Sequence, residues 1–281
     1  MPDINSYQWL LGSMAVMGAA GVQVLTGFGF PLVSIPLLLY IFPNYEAILI
    51  SMMLSMFTLV LQAGKNWNMA RWDLVWRLLA IGFPGLLLGV LASGKMSGVH
   101  LKGLVGITVL SYVLIQWVQA ERNRKVAQIG GSSNESQPIG LRKWPKGLYF
   151  AGFASGILTG VVGLPGPPVI AILVPYLQKD SFRATIVNYF ILMYAVALSL
   201  SLFVRQQKVT ETVLTTVIVY MIPALLGYWI AQPIRKRIND TNFKRLVYGL
   251  LIIVGITSCW QSLSQINLPE IIVKQISLNV K

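Results

Sequence analysis

Residues 147–178 read GLYFAGFASGILTGVVGLPGPPVIAILVPYLQ, without a charged side chain from end to end. At about 1.5 Å per residue, one unbroken helix of this length would run to nearly 50 Å, against a bilayer hydrocarbon core of roughly 30 Å. The stretch must therefore be interrupted. The place is marked by Gly163-Leu164-Pro165-Gly166-Pro167-Pro168, where proline removes backbone donors and glycine frees the dihedral angles. A second overlong stretch, residues 4–45, carries a related interruption at Gly27-Phe28-Gly29-Phe30-Pro31. Six further uncharged stretches, at 47–64, 78–94, 103–120, 184–204, 212–234 and 246–269, each have the length of one spanning helix.

Composition agrees with a chain built for lipid. Of 281 residues, 55% are hydrophobic and only 11% charged, too few charges to clothe a water-facing surface and too apolar a chain for disorder. The expectation is an all-α polytopic membrane protein, multi-pass in the cell membrane. A net charge of +13 on a soluble domain would suggest nucleic acid, but here Lys and Arg punctuate apolar runs, so they are topology signals and no nucleic-acid partner is expected. Residues 1–8 contain no Lys or Arg, so the first apolar stretch is expected to stay in the membrane instead of being cleaved as a signal peptide. Cys259 stands alone inside an apolar run and reads as a small buried apolar residue, with no disulfide and no cysteine-based metal site. Nucleophile–base pairs, paired acids, metal-ligand clusters and phosphate-binding loops are missing, so no catalytic residue, no metal, no cofactor and no enzyme activity is expected.

Whether each overlong stretch crosses once or turns back is decided by the basic residues, because cytoplasmic loops carry the excess. Single crossings divide Lys and Arg about 13 to 9, with the two richest loops on opposite faces. Hairpins divide them about 16 to 6 and make the loops at 121–146 and 235–245 both cytoplasmic. Hairpins are therefore expected, with both termini extracytoplasmic. The first half then enters from outside and the second from the cytoplasm. A shift of about 136 residues also brings Gly27 onto Gly163, Pro31 onto Pro167 and Tyr40 onto Tyr176, with Ala47 and Ser51 near Ala184 and Asn188. Two inverted-topology repeats are expected, residues 1–118 and 147–263, each a broken Gly/Pro-rich hairpin plus about three spanning helices. A polar cytoplasmic linker occupies 119–146 and a tail 264–281.

Broken helices at membrane depth expose backbone groups that hydrocarbon does not tolerate unless protein or a wet cavity surrounds them. Half-helices starting near Phe30 and Pro168 present N-terminal N–H groups and a positive dipole end, a combination that holds a small anion. Glycine and proline also serve close packing and kinks in membrane helices, but two such motifs at matching positions favour a ligand site. Candidate substrate-binding positions are Gln23, Thr26, Gly27, Gly29 and Ser51, with Ser55 beside them, in the first half. In the second half they are Thr159, Gly163, Gly166, Asn188 and Tyr189. For the hydroxyls a bond back to a helix carbonyl is the competing role, and for Asn188 it is helix-to-helix adhesion. Lys179 and Arg183 flank the second hairpin as candidate entrance residues, with plain positive-inside anchoring as the alternative. His100 is expected in an outer loop, and the tryptophans near span ends as interfacial anchors.

The stretch Gly21 to Pro36 followed by Glu46-Ala47, and Gly160 to Pro168 followed by Phe182-Arg183-Ala184-Thr185, carry a family likeness in both halves. On these residues the chain resembles the TauE/SafE family of sulfite and organosulfonate permeases, also named the four-toluene-sulfonate uptake permease family. The resemblance implies a duplicated inverted bundle that moves small sulfur-containing anions. One departure is Gly27-Phe28-Gly29-Phe30, where relatives look richer in consecutive glycines, which bears on the size of the substrate. The expected function is a secondary transporter, a permease or exporter of sulfite or an organosulfonate. Its expected partners are the small anion and the lipid bilayer, and a homodimer is left open. A passive anion channel and a non-transporting membrane scaffold are the alternatives, and saturable flux with counterflow marks the carrier.

Overall fold

The computed structural model describes residues 6–42, 45–64, 67–94, 96–128, 147–174, 176–205, 211–237, 249, 252, 255–260 and 262–264. The inner part of the linker, the C-terminal tail and most of the last expected span lie outside the described residues. All described elements are helical. They run α1 (Ser6–Thr26), α2 (Phe30–Ile41), α3 (Glu46–Ala63), a 3-10 turn (Trp67–Met69), α4 (Trp72–Ser93), α5 (Gly98–Gln128), α6 (Gly147–Val162), α7 (Gly166–Leu173), α8 (Lys179–Arg205) and α9 (Glu211–Arg237). Among the described residues six stretches are long and apolar enough to cross a membrane: Ser6–Thr26, Glu46–Ala63, Trp72–Ser93, Gly98–Ile115, Asp180–Val204 and Val213–Ile234. Helix α5 runs on to Gln128, ten residues into the stretch read as linker, because Glu121 to Gln128 is made largely of good helix formers.

Both overlong stretches break where glycine and proline stand, and the chain folds back at each. Gly27, Gly29 and Gly163 adopt φ of 88°, 104° and 70°, the left-handed region in which a side chain is strained. Helix α2 returns along α1, so that a Cβ on Gly12 would lie 3.2 Å from Ile41 Cδ1. In the same way α7 returns along α6, and a Cβ on Gly147 would lie 3.2 Å from Ile172 Cδ1.

Small residues bring the two halves together, as they do where lipid removes the hydrophobic drive between helices. Helices α4 and α6 run parallel in backbone contact. Gly85 lies against the Phe153 carbonyl and Gly156 against the Gly82 carbonyl, while a Cβ on Gly160 would stand 2.6 Å from both Leu86 O and Val90 N. Helices α1 and α9 form a second parallel pair, with Gly227 on the Met17 carbonyl and Gly12 under the Tyr220 hydroxyl. Between these pairs α3 and α8 cross antiparallel. The Tyr45 hydroxyl before α3 stands 3.5 Å from Ser201 Oγ near the end of α8, and Arg71 N after α3 donates to Thr185 Oγ1 near the start of α8 at 3.0 Å.

Candidate functional site

At the first break α1 ends because its next backbone donor is diverted. Gly27 N still closes a helical bond to Gln23 O at 2.7 Å, but Phe28 N turns to Thr26 Oγ1 at 3.2 Å. Thr26 Oγ1 in turn donates to Val22 O at 2.9 Å and lies against the Phe28 carbonyl. The carbonyl of Val24 is thereby released from the helix ladder, and the Arg183 guanidinium of α8 donates to it. The Arg183 side chain covers Gly27 so closely that a Cβ there would lie 3.1 Å from its Cγ. Helix α2 then starts at Phe30, with Pro31 in its first turn, leaving the amides of Phe30 and Leu32 at its positive end.

The second break repeats the pattern with different atoms. Gly163 N bonds Thr159 O at 2.9 Å, and Leu164 N passes over Gly160 to reach Leu158 O at 3.3 Å. The released Gly160 carbonyl accepts from the Tyr45 hydroxyl at 3.0 Å. Ser155 Oγ donates to the Pro165 carbonyl at 2.6 Å and stands 2.9 Å from the Tyr189 hydroxyl. Helix α7 starts at Gly166, and of its first three residues only Gly166 owns an N–H, since Pro167 and Pro168 have none. Its positive end is thus poorer in donors than that of α2.

A polar cluster lies among these elements inside an otherwise apolar bundle. Gln23 and Ser55 bond reciprocally, Nε2 to the Ser55 carbonyl at 3.3 Å and Ser55 Oγ to Oε1 at 3.2 Å. The Tyr194 hydroxyl lies beside Ser55 and donates to the Gly163 carbonyl at 3.3 Å, so the chain of contacts runs from α1 of the first half to the second break. Ser34 and Ser51 pair at 2.6 Å one turn away on α2 and α3. Gln23, Ser34, Ser51 and Ser55 are all buried. Packing around Gly163 by Ile35, Ile48 and Met52 ties that pair to the same region.

A model of the sulfite exporter TauE/SafE family matches residues 13–258, which takes in both breaks and the polar cluster. The chain belongs to the TauE/SafE family. No curated protein and no solved structure matches it. Membership makes this chain a membrane transporter of the sulfite-exporter type.

Within this TauE/SafE protein the sequence candidates fall into three groups. Thr26, Gly27 and Gly29 form the first break, with Arg183 against it, so Arg183 is part of that break and not only a flanking charge. Gly163 and Gly166 form the second break, Thr159 bonds back to its own helix at Ser155 O at 2.6 Å, and Tyr189 supports Ser155. Gln23, Ser51 and Ser55 belong to the cluster between them. Asn188 stands apart. It lies five residues from Arg183, about 140° round α8, and its Nδ2 donates to Ala184 O at 2.8 Å while its buried Oδ1 has no partner. Lys179 is the first residue of α8, and its side chain lies outside the described residues.

Sequence reasoning missed Ser34, Tyr45, Ser155 and Tyr194. For Tyr194 a signal existed, because it follows Arg183 by eleven residues, about three helical turns, and so shares its face of α8. Among the described residues no group of three His, Cys, Asp or Glu side chains is placed to hold a metal. His100 lies 2.7 Å from Ser97 Oγ and lines a cavity of about 490 Å³ with Met96, Gly103, Leu104, Ile107 and Ser262, which shares no residue with either break.

Proposed function

We propose that this chain is a secondary transporter of sulfite or a related small sulfur oxyanion across the cytoplasmic membrane, with the anion passing between the two broken hairpins. The observation that carries the reading is the buried polar chain Gln23–Ser55–Tyr194–Gly163, which joins both halves in the interior of a family of sulfite exporters. An anion that leaves water must have its hydrogen bonds replaced, and a buried hydroxyl or amide can do so without a counter-charge. The amides of Phe30, Leu32 and Gly166 and the guanidinium of Arg183 supply the positive potential at the two breaks. Arg183 meets the first break and Tyr194 the second, eleven residues or about 16 Å apart along α8. The two breaks are thus met by positions about three turns apart on α8, with the cluster running between them, an arrangement that suits a pair of gates around one passage.

The directions of the helices support a reading in which the two halves are inverted. Single crossings at both breaks would make α3 and α8 run the same way, and a single crossing at only one break would set α1 against α9. Antiparallel α3 and α8, together with parallel α1 and α9, support two hairpins. The first half then enters from outside and the second from the cytoplasm, both termini are extracytoplasmic, and α1, α2, α3 and α4 correspond to α6, α7, α8 and α9.

The test is flux. The purified chain in liposomes is expected to take up sulfite saturably and to show counterflow, and sulfite is expected to raise its unfolding temperature in a panel of small anions. Flux that never saturates would mean a channel. Failure to move any sulfur oxyanion, with a partner protein retained on purification, would mean a scaffold.

A further inference from the structure

The two breaks share a contact that their amino acids do not. In each hairpin the carbonyl three residues before the left-handed glycine, Val24 before Gly27 and Gly160 before Gly163, has lost its helical donor. Phe28 N has gone to Thr26 Oγ1 and Leu164 N to Leu158 O. Each released carbonyl is then capped by a side chain of the other half: Val24 by Arg183 and Gly160 by Tyr45. Val24 and Gly160 are separated by the same 136 residues that superimpose Gly27 on Gly163. The donors flank the matched alanines, Tyr45 two positions before Ala47 and Arg183 one before Ala184. Both stand at the starts of the antiparallel helices α3 and α8.

We propose that Arg183 and Tyr45 are equivalent positioning residues, two latches that hold each hairpin shut against the opposite half, and that the transported anion opens one of them. The second clause rests on the transport reading above. A phenol and a guanidinium hold a neutral carbonyl by similar geometry, but they respond differently to an arriving anion. The bond from Arg183 to the Val24 carbonyl is already charge-assisted, but an oxyanion adds charge-to-charge attraction and a second acceptor oxygen for the planar guanidinium fork, neither of which a neutral carbonyl offers. An oxyanion at the first break therefore competes with the Val24 carbonyl for Arg183, and the α1–α2 hairpin loses its cap as the anion gains a ligand. Tyr45 offers no charge, so the Gly160 latch stays closed in the same event. Only one gate is addressed by the substrate at a time, which is what alternating access needs.

Amide hydrogen exchange of the purified full chain in detergent, followed over residues 27–32 and 163–169 with and without sulfite, tests both clauses. Without anion, Arg183→Gln is expected to speed exchange at 27–32 by about tenfold or more while leaving 163–169 unchanged, and Tyr45→Phe to do the reverse. Arg183→Lys, which keeps the charge, falls between. With sulfite, the unmodified protein and Tyr45→Phe are expected to speed up at 27–32, and Arg183→Gln to show no further change. If each substitution loosens both segments equally, or neither segment, the latches are overturned whatever sulfite does. If the latches respond as described but sulfite that the same preparation transports leaves 27–32 unmoved, the anion does not open them. Absence of sulfite transport in the unmodified protein sinks the transport reading and the anion's part together, and the anion-free comparison then decides the latches alone.

Discussion

Gly89 has no room for one added carbon. A Cβ there would stand 2.5 Å from the Ile157 carbonyl oxygen and 3.0 Å from Gly160 Cα, backbone atoms that no rotamer change can move. Real Cβ atoms essentially never approach closer than 3.0 Å, so Gly89→Ala must separate α4 from α6 by at least 0.5 Å at that level. A gap of about 0.5–1 Å already forfeits a quarter to a half of a dispersion contact, and Gly82, Gly85, Gly152 and Gly156 share the same seam. Overpacking of this kind costs about 1–3 kcal/mol, and the better helix propensity of alanine returns up to about 1 kcal/mol. A net loss of about 1–2 kcal/mol is expected. Gly18→Ala is the internal control, since nothing lies within 4 Å of its Cβ and only the propensity gain acts. Unfolding temperature and size-exclusion profile of both variants in one detergent are the measurements. Gly89→Ala unfolding at or above the temperature of Gly18→Ala would refute the backbone-to-backbone seam.

The reciprocal Gln23–Ser55 bonds predict coupling: Gln23→Leu and Ser55→Ala each lower stability, and the double variant loses about 0.5–1.5 kcal/mol less than the sum, whereas additive losses would mean that the pair does not form. Asn188→Leu removes a buried acceptor without a partner, so unfolding temperature is expected to hold or rise; a fall would mean that Oδ1 binds a water or ligand essential to the fold. Under the hairpin topology residue 131 is cytoplasmic and Lys281 extracytoplasmic, and reporter fusions that place both on one face would sink it.

The breaks were legible in the sequence because their cause is local. Glycine and proline alter the backbone at their own positions, so Gly27 and Gly163 could be located without knowing any neighbour. What caps the released carbonyls could not be seen, since Arg183 meets Val24 and Tyr45 meets Gly160 only through the antiparallel crossing of α3 and α8. Asn188 attracted attention by chemistry alone, an amide in an apolar run. The 100° step per residue would have set it on a different face from Arg183 and Tyr194. The donor poverty of α7 was equally readable, because Pro167 and Pro168 state it themselves.

The parallel pairing of α1 with α9 bears on how the protein is made. Ribosomes add about 5–20 residues per second, so Glu211–Arg237 reaches the membrane roughly 10–40 s after Ser6–Thr26, whose Gly12 and Met17 it must cover. During that interval the first hairpin sits in lipid with a glycine-lined face bare and its Val24 carbonyl still waiting for Arg183. The first half is inserted early but finished late, and a nascent chain arrested before α9 would present an open helical groove to whatever membrane chaperone or neighbouring helix is at hand.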